Sequence, residues 1–93
     1  MALNFQILSF KTRDSLHLKL TGDFDGSSAY ELIHTLTEHG KDFYEIFIDT
    51  NELKNIDPYG REVLQKRLDG IKKHFHGIKF FGINEAIFGT DYI

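Results

Sequence analysis

A chain of 93 residues with no cysteine and a formal net charge of −3 has room for one small two-layer core. It excludes disulfides, thiolate zinc sites and a cysteine nucleophile. A pI near 5.9 argues against nucleic-acid binding, which needs a basic surplus. No run reaches membrane-spanning length and no basic segment leads into an apolar one at the start. Membrane insertion is therefore not expected, and a soluble cytoplasmic protein is. The nine phenylalanines and four tyrosines suit a small core that draws its burial from large side chains.

In chain order, Phe5, Ile7 and Phe10 mark a first strand. Leu16, Leu18 and Leu20 alternate with His17, Lys19 and Thr21, the pattern of a half-buried second strand. The short polar link through Thr12 to Ser15 makes the two an antiparallel hairpin. Ser28 with Glu31 reads as a capping box, followed by a helical stripe of Ala29, Leu32, Ile33 and Leu36 that Gly40 ends. Tyr44 to Ile48 is almost continuously apolar, as expected of a third strand covered on both sides.

A second helix opens at Asp57-Pro58-Tyr59-Gly60. Asp57 is a good N-cap, and Pro58 falls at the first helical position, where its fixed φ fits and its missing N–H costs nothing. Gly60, four residues before Leu64, lets the helix start approach the sheet closely. Tyr59 is left at the mouth of the helix. Leu64, Leu68, Ile71 and Phe75 then form an apolar stripe opposite Arg61, Glu62, Lys66, Arg67, Lys72 and Lys73, with Gly77 as terminator. Gly70 weakens this helix by roughly 1 kcal/mol relative to alanine. Ile78 to Ile83 returns as a fourth strand, and Asn84 caps a last short turn through Ile87 and Phe88.

The expectation is an α/β domain spanning residues 1–93. It is a small mixed sheet of about four strands in β-β-α-β-α-β order, with the helices packed chiefly on one face. Sites in such sheets gather where strands end and helices begin. That places the segment Gly22 to Ser28 beside Asp49 to Gly60.

Two stretches, Leu20-Thr21-Gly22-Asp23-Phe24-Asp25 and Ile56-Asp57-Pro58-Tyr59-Gly60-Arg61-Glu62-Val63-Leu64, resemble motifs of STAS domains, the family of bacterial anti-sigma factor antagonists. The first looks like the family's Gly-x-Leu/Phe-Asp turn and the second its Asp-Ser-Ser-Gly turn. The likeness covers roughly residues 4–83. It implies a non-catalytic regulatory module of bacterial signalling and transcription control, without a cofactor. Its partner would be a regulatory protein, such as an anti-sigma factor or kinase, which releases when it phosphorylates the serine just before the turn glycine. The turn residues implied are Asp23, Phe24, Asp25, Asp57, Pro58, Tyr59 and Gly60. Here Pro58-Tyr59 replaces both serines, so a serine kinase has no acceptor in the turn. Family members also usually continue past the fourth strand, so this domain reads as shortened at its C-terminus. Phe80, Phe81, Ile87 and Phe88 would then form an incompletely covered patch, and a homodimer burying that C-terminal edge is expected.

A different class competes. Asp23-Phe24-Asp25-Gly26-Ser27 looks like the Asp-x-Asp-Gly-Ser/Thr loop of haloacid-dehalogenase-like Mg²⁺-dependent phosphatases. In that chemistry Asp23 attacks phosphorus and Asp25 handles the proton, and Thr50 stands for the second motif. The chain is short for that architecture, and Ile83-Asn84-Glu85 supplies one acid at most. Among the five histidines only His74 and His76 are close-set. They sit where cationic side chains suit a helix end, and metal binding is not expected.

Overall fold

Alternating burial along one strand organises the molecule. The computed structural model describes residues 4–84 and Phe88. The elements run β1 (Gln6–Lys11), β2 (Ser15–Phe24), α1 (Gly26–His39), β3 (Glu45–Ile56), α2 (Pro58–Ile71) and β4 (Ile78–Phe81), with single 3₁₀ turns after each helix. The strands lie side by side in sequence order. β1 and β2 are antiparallel, whereas β2, β3 and β4 are parallel. The Thr12–Ser15 turn closes the hairpin, with the Ser15 N–H donating to Thr12 Oγ1 at 3.0 Å.

On β2, Leu16, Leu18 and Leu20 point into the core and are fully buried. Each contributes about 1.5–3 kcal/mol relative to exposure. Ile46 and Ile48 of β3 and Ile78 and Phe80 of β4 continue the same layer. Ala29, Leu32 and Leu36 from α1 and Val63, Leu64 and Leu68 from α2 complete it. An aromatic chain closes one end: Phe24 meets Phe5 at 5.7 Å and Phe88 at 5.1 Å, both edge-on, and Phe88 stacks on Phe80 at 5.3 Å.

Several expectations change. β3 is not covered on both sides, because Glu45, Phe47 and Asp49 alternate outward onto a sheet face that carries no helix among the described residues. It also runs on to Ile56. Beyond Asp49 it pairs with β2 alone, which suits its exposed Asn51, Glu52, Lys54 and Asn55. α1 starts three residues earlier than the Ser28–Glu31 pattern suggests. Its N-cap is Asp25, and Ser28 is the reciprocal partner. Gly40 does not take a left-handed cap. Its φ is −78°, and it is small because a Cβ would press to within 2.8 Å of Ile46 and 2.9 Å of Phe75. α2 ends at Ile71 rather than at Gly77, and Phe75 reaches the core from the extended chain beyond a 3₁₀ turn.

The C-terminal patch expected to drive dimerisation is also divided. Phe80 and Phe88 are buried on the helix side, and Phe81 emerges on the opposite face. Ile87 and Glu85 lie outside the described residues. No described helix is long and apolar enough to cross a membrane.

Candidate functional site

The ends of β2 and β3 meet their following helices at one corner. The Asp57 N–H donates to the Phe24 carbonyl at 2.8 Å, which extends the ladder to the start of α2. Asn55 Nδ2 donates to Asp23 Oδ1, also at 2.8 Å. Gly60 is buried against the neighbouring helix start, where a Cβ would sit 2.6–2.8 Å from the Asp25 backbone. The close approach foreseen for Gly60 is therefore to the N-cap residue of α1 rather than to the sheet. These contacts bring Asp23, Asp25, Asp57, Tyr59 and Gly60 together.

Asp25 is deeply engaged. Its Oδ1 accepts from the Ser28 N–H at 2.9 Å and the Ser27 hydroxyl at 2.8 Å. The Ser28 hydroxyl accepts from the Asp25 N–H at 3.1 Å and lies 3.0 Å from both the Asp23 carbonyl and Asp25 Oδ1, with one proton to share between them. The Ser28 backbone N–H, then the Ser27 hydroxyl, stabilise the ionised form and lower the Asp25 pKa from 3.8 to about 2. Asp57 has the simpler cap, its Oδ1 accepting from the Tyr59 N–H at 3.0 Å.

Phe24 is 1% exposed, so it supports the corner from the core and presents no contact surface. Tyr59 is 63% exposed. Its ring leans on the first turn of α1, since a Cβ at Gly26 would come within 3.0 Å of Tyr59 Cε2. It also forms one wall of a groove of about 450 Å³ between the helices, lined by Tyr30, Tyr59, Glu62, Val63, Lys66 and Arg67. Arg67 lies 4.9 Å above the Tyr30 ring and donates to the Tyr30 hydroxyl at 3.2 Å. Sequence patterning misses Tyr30, because its partner lies on another helix and no local signal links them.

Thr50 is fully buried and donates to the Phe81 carbonyl at 2.8 Å, tying β3 to the end of β4. Asn51 and Asn84 reinforce that tie through Ile83 N–H and the Thr50 carbonyl, each at 2.8 Å. His76 stacks on Tyr44 at 5.5 Å. Among the described residues, no three His, Asp or Glu side chains are placed to hold a metal ion.

No protein-family profile matches the chain. No curated protein matches it either. Solved structures do. The protein described as Mglu superposes with a TM-score of 0.70 at 15% identity over 81% of this chain, which spans only 19% of that chain. The anti-sigma factor antagonist SpoIIAA, in its unphosphorylated form, gives 0.56 at 17% identity, covering 89% of this chain and 76% of the other. A DUF3478-family protein from Shewanella loihica PV-4, described as having a SpoIIAA-like fold, gives 0.58 at 20% identity, with 89% and 71% covered. The chain therefore has a STAS-like, SpoIIAA-like fold.

Proposed function

We propose that the chain is a non-catalytic module of the anti-sigma factor antagonist type, which binds a regulatory protein through the corner where β2 and β3 hand over to their helices. The observation that carries this reading is Tyr59. It is a large aromatic, 63% exposed, on a helix start braced from behind by Gly60 and Asp25. Rigid exposed aromatics are the side chains that most often dominate protein interfaces. The SpoIIAA-like fold supports the kind of partner, because SpoIIAA is an anti-sigma factor antagonist.

Serine phosphorylation in this turn has no acceptor, so binding is constitutive with respect to a serine kinase. Phosphate there would add roughly −1.5 to −2 charges beside Asp57 and close to Asp23 and Asp25, a conflict suited to releasing a partner. The phosphatase reading loses support from Asp25. A carboxyl with a pKa of about 2, committed to capping α1, is a poor proton carrier at neutral pH.

The test is calorimetry against anti-sigma factors of the host. Wild type binds, and Tyr59→Ala weakens binding by roughly thirtyfold, as expected of a hot spot worth about 2 kcal/mol, with an unchanged melting temperature. Pro58→Ser with Tyr59→Ser restores phosphorylation by a cognate kinase and lowers affinity in its presence. Absence of any such binding, together with Mg²⁺-dependent phosphomonoester hydrolysis lost in Asp23→Asn, would establish the phosphatase instead.

A further inference from the structure

The face of the sheet that the helices leave open has an unusual composition. A solvated face normally reads as polar. This one carries Phe10 at 57% exposure, Leu8 at 43% and Phe81 at 39%. Phe47 joins them, its ring stacked on His17 at 5.0 Å. The aromatic chain that ends in Phe88 turns to the helix side, against Phe24 and Phe80, and among the described residues no helix lies on this face. Large apolar side chains exposed on both edges of one sheet face suit a contact surface.

Strand register gives the face a definite pattern. Leu8 pairs with Lys19, Lys19 with Asp49, and Asp49 with Phe81, so one row crosses the four strands as apolar, positive, negative, apolar. The neighbouring row runs Phe10, His17, Phe47, Lys79. We propose that this face binds a second copy of the chain, sheet against sheet, about a two-fold axis parallel to the strands.

Such an axis lays each row on its own reverse. Lys19 of one copy meets Asp49 of the other, twice, and Leu8 meets Phe81. In the second row His17 meets Phe47, and Phe10 lies on the aliphatic stem of Lys79. The row is therefore complementary to itself in both charge and apolarity. Lys19 forms no ion pair with its own chain among the described residues, whereas Lys79 is held by Glu45 at 3.6 Å. Aligned packing of two sheets about 10 Å apart is a standard geometry. β1 and β4 have six and four residues, so the face is small and falls in the class of weak, reversible interfaces. The charge pairs set register more than affinity.

Sedimentation equilibrium on the full chain tests this. Wild type forms a reversible dimer in the micromolar range. Lys19→Asp and Asp49→Lys each place two like-charged pairs across the axis and weaken the dimer by roughly tenfold or more. Their equimolar mixture recovers association, because the heterodimer pairs opposite charges at both positions. A wild type that stays monomeric through high micromolar concentration overturns the proposal and leaves the face to a different protein. So do single variants that dimerise like wild type, or a mixture that stays monomeric while both variants retain wild-type circular dichroism.

Discussion

Both helices start on an aspartate. The Asp25 carboxylate lies within hydrogen-bond reach of Ser27 and Ser28 through three donors, whereas Asp57 accepts one bond, from the Tyr59 N–H. The first start is cross-braced and half-buried, with Ser28 only 1% exposed. The second is exposed from Asp57 to Tyr59 and rests on the first through Gly60. The corner thus has a fixed half and a presented half. The bracing contacts are concentrated on the inner half, and the aromatic is placed on the outer half.

The largest effect is expected from Gly60→Ala, which drives a Cβ into the Asp25 backbone. Neither side of that contact is a flexible side-chain end, so the two helix starts must part, at a cost of about 2–3 kcal/mol in urea unfolding. A loss below about 1 kcal/mol would show that the halves are not braced.

Next come the caps. Asp25→Ala should cost about 1.5–2 kcal/mol and Asp57→Ala about 0.5–1 kcal/mol. Equal values would erase the distinction between the two starts. Acid sharpens it further. The folded-state pKa of Asp25 is depressed from 3.8 to about 2, so its ionised form stabilises the fold above the higher value. That contribution is lost as pH falls from 3.8 through about 2. Asp25→Asn keeps a capping oxygen without the titration, and its thermal stability should fall less steeply over that window than wild type's.

The smallest effect has the opposite sign. Gly70 lies on the same helix as Gly60, yet a Cβ there meets nothing within 4 Å. Gly70→Ala should raise stability by about 0.5–1 kcal/mol through helix propensity alone. A neutral or destabilising result would point to a contact made by Gly70 outside this chain.

Element order was readable because burial imprints its period on the sequence, as at Leu16, Leu18 and Leu20 and again at Leu64 and Leu68. The Asp57–Pro58 start was readable because cap and first-turn chemistry are local. The start of α1 was not. Ser28–Glu31 fits the Ser/Thr-x-x-Glu/Gln capping pattern better than Asp25–Ser28 does, yet β2 stops at Phe24 and the helix starts on Asp25. The one-sided exposure of β3 was hidden too, since Phe47 fills an outward position with an apolar ring. The groove wall built by Tyr30 and Arg67 joins residues on different helices, beyond the reach of any window on the sequence.

The β2–β3 ladder carries two register shifts, between Lys19 and Thr21 and between Gly22 and Asp23, while Ser15 to Lys19 pair with Glu45 to Asp49 without interruption. Each shift leaves a residue of the longer strand out of the regular pairing. Deuterium uptake should therefore divide this strand pair along its length. Amides around Leu18 and Ile48 exchange only when the whole domain opens, on the slowest timescale the protein has. Those around Thr21 to Asp23 and Asn51 to Asn55 exchange through local breathing well before it. The shifted end of the β2–β3 ladder should thus open before the remainder, which keeps its register.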